Sequence, residues 1–261
     1  PLLAQLNPTN SARVLNLVNG LFPTGLVIGA FFTGEALQAH TSWRWPYGLI
    51  AIPATICGLL FLIRSYPPET GAQKRGANLK TYLQNRLFWL LFAGMIICGG
   101  CESGLTTWGP NFIQHELHSS ARGGAMTMVL IGVFMAAGRF SSGWILGFIS
   151  PITLMILSAI GGVIALTGLM VVKVSWMGGV LFGLGGLFIA CFWPTLLSVA
   201  SEKIEQGATL LFALLSSAGI IGGVIMPWGI GALGDIFGLN FGILLIPFAM
   251  LAQVFILLGV A

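Results

Sequence analysis

The chain has 261 residues, of which 56% are hydrophobic and 7% charged, with a formal net charge of +4 at pH 7. A soluble domain carries about 25% charged residues, so this composition excludes a water-soluble protein and implies a lipid environment. The positive charge does not indicate nucleic-acid binding, because the basic residues lie in loops between long apolar runs, where cytoplasmic loop charge is expected.

Eight transmembrane helices are predicted from these runs, because a helix needs about 20 apolar residues to cross a bilayer core about 30 Å thick. The longest polar stretch, residues 65–86, lies between the second and third of them and is predicted to be a loop. The predicted fold is an all-α membrane protein. In chain order the spans are 14–36, 46–64, 87–114, 123–148, 151–172, 176–199, 207–234 and 240–261.

Lysine and arginine residues predict the orientation, since cytoplasmic loops are enriched in both. If residues 65–86 are cytoplasmic, only Arg44, Arg122 and Lys173 of the eleven basic residues face outward. We therefore expect a cytoplasmic C-terminus and a location in the plasma membrane, which is the inner membrane in a bacterium. The basic residues on the cytoplasmic side are then Arg13, Arg64, Lys74, Arg75, Lys80, Arg86, Arg139 and Lys203.

Five segments occur in a characteristic order and spacing. They are Ser11–Gly34; Glu102–Asn111 (ESGLTTWGPN); Gly138–Gly143 (GRFSSG); Trp193–Ser198 (WPTLLS); and Gly219–Asp235, which ends in GALGD. They resemble the fifth, seventh, eighth, tenth and eleventh helices of the major facilitator superfamily and, within it, of the fucose:proton symporter family. The uncharged stretch Trp144–Pro151 departs from the family pattern, which often carries a charge there.

The resemblance implies a secondary transporter that takes up a sugar or related polar solute by alternating access, coupled to a cation, with H⁺ favoured over Na⁺. Its first, fourth, seventh and tenth helices would line a cavity, and its third, sixth, ninth and twelfth would face lipid. The sequence agrees, because spans 46–64 and 151–172 have no charge or amide inside and span 240–261 has only Gln253.

The loop 65–86 divides the chain into two spans and six spans. We expect residues 1–64 to be the end of an N-terminal helix bundle, residues 65–86 to be a cytoplasmic linker, and residues 87–261 to be a C-terminal six-helix bundle. Because the chain begins with Pro1 and not Met, it is interpreted as a fragment covering about helices 5–12 of twelve, with the first four helices as its missing partner.

Glu102 is the only acidic residue near the middle of a predicted span. An intramembrane carboxylate costs about 2.5–3.5 kcal/mol on insertion scales and normally faces a cavity or a partner. It could exchange the coupling proton or accept hydrogen bonds from sugar hydroxyls; the alternative is a structural carboxylate satisfied by neighbouring helices. Thr106 lies one turn further on the same face.

Other side chains in the spans could hold a sugar through stacking or hydrogen bonds. Asn16 and Asn19 share one helix face and could instead clamp two helices together. Pro194 is expected to kink its helix and expose carbonyls beside Trp193. Arg139 is expected near the inner end of its span, in a gating or snorkelled role and not in contact with solute. The candidate substrate-binding or coupling residues are Glu102, Thr106, Trp108, Asn111, Asn16, Asn19 and Trp193.

Glycine pairs spaced four apart predict close helix crossings, because small residues let helix backbones approach. The pairs are Gly25/Gly29, Gly143/Gly147, Gly179/Gly183 and Gly219/Gly223.

No sequence pattern predicts an enzyme. There is no HExxH motif, no Ser/His or metal-spaced set and no GxxxxGK[ST] loop, so no catalytic residue, cofactor or metal is predicted. Cys98 and Cys101 lie within an apolar run and are interpreted as buried small hydrophobic residues, not as a redox or zinc site. The alternatives that remain are a transporter of an organic anion or another small metabolite, a polytopic membrane enzyme, and a non-transporting sensor. The anion is disfavoured because no Arg or Lys lies at mid-span.

Overall fold

The computed structural model describes residues 9–39, 44–63, 79–204 and 208–261, together with Leu3, Leu6, Asn7 and Ser42. All regular structure in these residues is helical, as predicted. The helices are α1 (Ser11–Asn19), α2 (Leu21–Gln38), α3 (Arg44–Ile63), α4 (Leu79–Leu83), α5 (Arg86–His115), α6 (Ala121–Ile145), α7 (Pro151–Thr167), α8 (Ser175–Ile189), α9 (Phe192–Lys203), α10 (Ala208–Phe237), α11 (Leu239–Ile243) and α12 (Leu245–Val260).

Seven helical segments of the described chain are long and apolar enough to cross a membrane. The remaining predicted span, 46–64, corresponds to α3, whose apolar part Gly48–Ile63 is shorter than the 18 residues required of a spanning helix. A multi-pass membrane protein is therefore confirmed, but the count of eight spans is not. The seven segments are Ser11–Ala36, Arg86–His115, Ala121–Ile145, Pro151–Met170, Ser175–Lys203, Thr209–Phe237 and Leu239–Val260.

The predicted loop 65–86 lies largely outside the described residues, which resume at Leu79. Its basic residues Lys74 and Arg75, and the neighbouring Arg64, also lie outside them. From Leu79 the chain forms the short helix α4, and Asn85 then caps α5 by accepting a hydrogen bond from the backbone N–H of Leu87 at 2.9 Å.

Helices α5 and α10 cross at backbone contact. A Cβ on Gly99 of α5 would lie 2.0 Å from the carbonyl oxygen of Gly219, and one on Gly222 would lie 1.8 Å from that of Ile96. Only glycine fits at such a distance, so the predicted close crossing at Gly219 is confirmed. The crossing sets the separation of two walls of the site described below.

The other glycine pairs differ in their surroundings. Gly183 of α8 packs on α6, where a Cβ would lie 3.1 Å from the Phe134 ring. A Cβ on Gly25 or Gly29 of α2 would meet no described atom within 4 Å, so the crossing predicted there is wrong for the part of the chain that the structure describes.

Two of the helices predicted to face lipid differ from each other. Every described side chain of α3 is exposed, as expected of a lipid-facing helix. Gln253 of α12 is instead fully buried and faces Gly94 of α5, where a Cβ would lie 3.3 Å from its Nε2. The amide of α12 thus points into the protein.

Helices α1 and α2 pack on the later helices, chiefly α6 and α9. The hydroxyl oxygens of Ser11 in α1 and Ser198 in α9 lie 2.5 Å apart, and each lies 3.2 Å from Glu202 Oε1, so one hydroxyl can donate to the carboxylate while the other donates to its neighbour. This polar contact holds α1 against α9 and brings the C-terminal end of α1 to the site.

Candidate functional site

Two predicted spans are interrupted three to four residues before a proline. Span 14–36 divides into α1 and α2 at Gly20, and span 176–199 divides into α8 and α9 at 190–191. Proline has no N–H, so the carbonyl four residues earlier loses its usual helical donor. This carbonyl belongs to Asn19 for Pro23 and to Ala190 for Pro194. An interruption of the helix before Pro194 is confirmed, and the carbonyl that lacks its helical donor there is that of Ala190.

Arg139 of α6 donates hydrogen bonds to both of these carbonyls. Its Nη1 lies 2.8 Å from the oxygen of Asn19, and its Nε lies 3.2 Å from that of Ala190. Gly138 lets α6 come close to α8, since a Cβ at this position would lie 2.4 Å from the carbonyl oxygen of Leu187 in α8. The guanidinium carbon also lies 5.5 Å from the ring centroid of Phe22, within cation–π range.

The third partner of Arg139 is the carboxylate of Glu102 on α5. Nη2 of Arg139 lies 3.1 Å from Oε2 and 3.3 Å from Oε1 of Glu102. The two side chains are 4% and 16% exposed, so the pair is largely removed from solvent. The pair is neutral as a unit, whereas loss of either partner would leave an uncompensated buried charge.

A cavity of about 530 Å³ lies beside this ion pair. Its volume is within the range of small-molecule sites, which are about 300–1,000 Å³. It combines aromatic faces with a carboxylate, an amide and hydroxyl groups, which is a set suited to a small hydroxylated molecule. The lining residues are Asn19, Phe22, Leu26, Gly99, Glu102, Ser103, Thr106, Arg139, Trp193, Gly219, Ile220, Gly223 and Val224.

Four of the seven candidate substrate residues line this cavity: Glu102, Thr106, Asn19 and Trp193. Thr106 Oγ1 donates to the carbonyl of Glu102 at 2.9 Å, which leaves its oxygen as an acceptor. The Trp193 ring lies against Gly219, where a Cβ would be 2.3 Å from a ring carbon. The predicted shared face of Glu102 and Thr106 is confirmed.

The other three candidates lie outside the cavity lining. Trp108 donates from Nε1 to the carbonyl of Pro227 at 2.8 Å, and Asn111 donates to the carbonyl of Thr107 in its own helix at 2.9 Å. Asn16 is fully buried and donates to Thr195 Oγ1 at 2.9 Å, which is the helix clamp considered from the sequence. Asn16 and Asn19 therefore do not act as a pair.

The position of Arg139 corrects two expectations. A snorkelled side chain is wrong, because the Arg139 side chain is 4% exposed and bonded inside the protein. The absence of an Arg or Lys at mid-span also does not argue against an organic anion, because the long side chain of Arg139 reaches the cavity from a position near the end of α6. The gating role of Arg139 stays a prediction.

Sequence reasoning missed two polar or aromatic members of the cavity. Phe22 lies three residues after Asn19, beyond the break at Gly20, and Ser103 lies three residues before Thr106 on α5. Ser103 could have been found by extending the face of Thr106, whereas Phe22 belongs to the next helix and could not.

The sequence pattern of the Major Facilitator Superfamily matches residues 2–227. The chain belongs to the major facilitator superfamily. Membership places it among transporters and not among enzymes, and it confirms the resemblance noted in the sequence. The chain has no match among curated proteins.

Two solved structures of major facilitator proteins share the fold. The E. coli fucose:proton symporter FucP has a TM-score of 0.68 and 16% identity, over 84% of this chain and 55% of that chain. A second structure, a major facilitator transporter FucP in the outward conformation, has a TM-score of 0.78 and 16% identity, over 100% of this chain and 71% of that chain. The chain thus spans about half (55%) of the length of the first of these structures.

Proposed function

We propose that the chain is part of a secondary active transporter that carries a sugar or a similar polar solute through the cavity beside Glu102. Transport would proceed by alternating access and be driven by a cation, H⁺ in preference to Na⁺. The observation that carries this proposal is the neutral Glu102–Arg139 pair at the wall of a cavity with aromatic faces. The similarity in fold to a fucose:proton symporter supports the same class of solute.

Each lining group has a role in holding such a solute. The Glu102 carboxylate accepts hydrogen bonds from hydroxyl groups, and charge-assisted bonds of this kind are about twice as strong as neutral ones. Trp193 and Phe22 stack on the C–H faces of the solute. The Asn19 amide and the Thr106 hydroxyl supply further contacts, while Arg139 fixes the direction of the carboxylate.

Charge balance distinguishes the two roles considered for Glu102, which are exchange of the coupling proton and acceptance of hydrogen bonds from sugar hydroxyls. With a neutral solute, a proton on Glu102 would leave Arg139 as a buried cation bonded only to carbonyl groups. Breaking a buried ion pair by removing one partner costs about 3–5 kcal/mol. A neutral solute therefore favours Glu102 as an ionised ligand, with the coupling ion bound at another group.

Arg139 also supports a second candidate, an organic anion carried together with a proton. If Glu102 is protonated, Arg139 can pair with a carboxylate of the solute, and the site again remains neutral. An organic anion needs Glu102 as the proton carrier, so substitution of Glu102 distinguishes the organic anion from the sugar.

The Glu102→Gln variant tests these roles in the whole protein. With a sugar-like solute, we expect binding to weaken about 10- to 100-fold, since a hydrogen bond to a charged group contributes about 1.5–3 kcal/mol. The measurement is direct binding of labelled sugars and carboxylates, together with vesicle uptake with and without a pH gradient. Glu35→Gln is the matched control, because Glu35 is 46% exposed and pairs with Arg122 away from the cavity.

The other outcomes are equally specific. Retained binding and exchange of solute with loss of accumulation would make Glu102 the proton carrier. Binding of a carboxylate that becomes independent of pH would support the organic anion. Wild-type binding and accumulation in the Gln variant would remove Glu102 from the site.

For the membrane arrangement, we propose eight spans in the plasma membrane, divided into the end of one bundle (1–64), a cytoplasmic linker (65–86) and a second bundle (87–261). Single cysteines test the orientation. A cysteine at exposed Gln84 should react with an impermeant thiol reagent only from the cytoplasmic side, and one at exposed His115 only from outside. Replacement of Cys57, which is exposed, removes the background. Reaction of both cysteines from one side would contradict the span assignment.

A further inference from the structure

Pro23 and Pro194 interrupt two different helices that both border the cavity. We propose that they are positioning residues: each frees the carbonyl oxygen that holds the Arg139 guanidinium against Glu102. The inference rests on the proposed role of Glu102 in holding the solute, and it adds two residues that touch neither solute nor carboxylate.

The geometry behind this inference is the same at both helices. In an unbroken helix, the N–H of residue 23 would bond to the oxygen of Asn19, and the N–H of residue 194 would bond to that of Ala190. Proline supplies neither N–H, and Arg139 occupies both oxygens, at 2.8 Å and 3.2 Å. The Arg139 side chain therefore supplies the donors that two prolines lack, although these prolines lie 171 residues apart in the sequence.

Arg139 is suited to this arrangement because its donors are fixed in a planar fork. The Nε and Nη1 groups are held by the two carbonyls, and this leaves Nη2 directed at the carboxylate of Glu102. If either carbonyl were taken by a backbone N–H, the guanidinium could turn about its remaining contact. The carboxylate would then lose its fixed direction at the cavity wall.

The test uses Pro23→Ala and Pro194→Ala, which restore a backbone N–H that competes with Arg139. Each should weaken binding of a labelled sugar about 2- to 10-fold, as expected for one hydrogen bond. In an Arg139→Lys background, which keeps the charge but lacks the fork, each should change binding less than about 2-fold. Such non-additivity identifies residues that act through one another.

Pro53→Ala is the matched control. Pro53 lies inside α3, whose described side chains are all exposed, whereas Arg139 is buried and the hydrogen-bond partners described for it lie outside α3. Its effect should be the same in both backgrounds. If Pro23→Ala or Pro194→Ala lowers the folded yield, Pro23→Gly and Pro194→Gly restore the same N–H on a more permissive backbone.

Equal effects of the proline substitutions in both backgrounds would show that the prolines merely bend their helices, and this would overturn the inference. So would an absence of any effect. The same double-mutant cycle is measured by thermal unfolding of the detergent-solubilised protein, which needs no solute. If wild type binds no sugar but the unfolding cycle is non-additive, the proposed function fails and the positioning of Arg139 stands.

Discussion

Arg139→Gln should destabilise the folded protein by about 3–5 kcal/mol, because it removes the cation of a buried ion pair and leaves Glu102 uncompensated. It also deprives the carbonyls of Asn19 and Ala190 of their donor. Arg139→Lys keeps the charge but cannot reach three acceptors in fixed directions, so its effect should be smaller. Thermal unfolding in detergent and the folded yield in membranes measure both variants.

Two comparisons show whether the loss of stability in Arg139→Gln arises from burial of the Glu102–Arg139 ion pair. The double variant Glu102→Gln/Arg139→Gln should recover part of the lost stability, since no buried charge is then left unpaired. Arg122→Gln should cost at most about 1 kcal/mol, because the Arg122–Glu35 pair spans 3.5 Å and its side chains are 58% and 46% exposed. Similar losses for Arg139→Gln and Arg122→Gln would contradict the account of the site.

The helical spans could be predicted because the distance across a bilayer sets the length of an apolar run. The proline rule also predicted the break at Pro194. It applied equally to Pro23, but that proline lies inside an otherwise continuous apolar run and was not singled out. The position and length of an apolar run are one-dimensional properties, so they can be read from one sequence.

The Glu102–Arg139 pair was beyond such reasoning, because its partners belong to different helices. Helix periodicity tells which residues share a face, but not which face of another helix it meets. For the same reason, two glycine pairs with identical spacing had different outcomes. Gly219 packs at backbone contact with α5, whereas Gly25 meets no described atom within 4 Å.

Neighbouring residues on one face can also have different partners. Asn16 lies within α1 and is enclosed by α9, while Asn19 is the last residue of α1 and adjoins the cavity. Both residues belong to α1, yet their neighbours differ. A spacing of three residues therefore predicts a shared helix face, but not a shared partner or function.

Gly99→Ala and Gly222→Ala should each prevent α5 and α10 from packing as they do. The added Cβ would lie 2.0 Å or 1.8 Å from a carbonyl oxygen of the facing helix, so the two backbones would have to separate. Overpacking of this kind costs about 1–3 kcal/mol or more, which exceeds the gain of about 1 kcal/mol from replacing glycine with alanine in a helix. We expect lower thermal stability and weaker solute binding together.

The loss of binding follows from the position of the crossing. Gly99 and Gly219 line the cavity, and Gly219 supports the ring of Trp193, so separating α5 from α10 moves Glu102 away from the aromatic wall. Gly259→Ala is the matched control, because its Cβ would lie 3.4 Å from the flexible end of Leu90, which is ordinary contact between α12 and α5. If Gly222→Ala were as mild as Gly259→Ala in thermal unfolding and in solute binding, the backbone contact between α5 and α10 would not be what sets the width of the cavity.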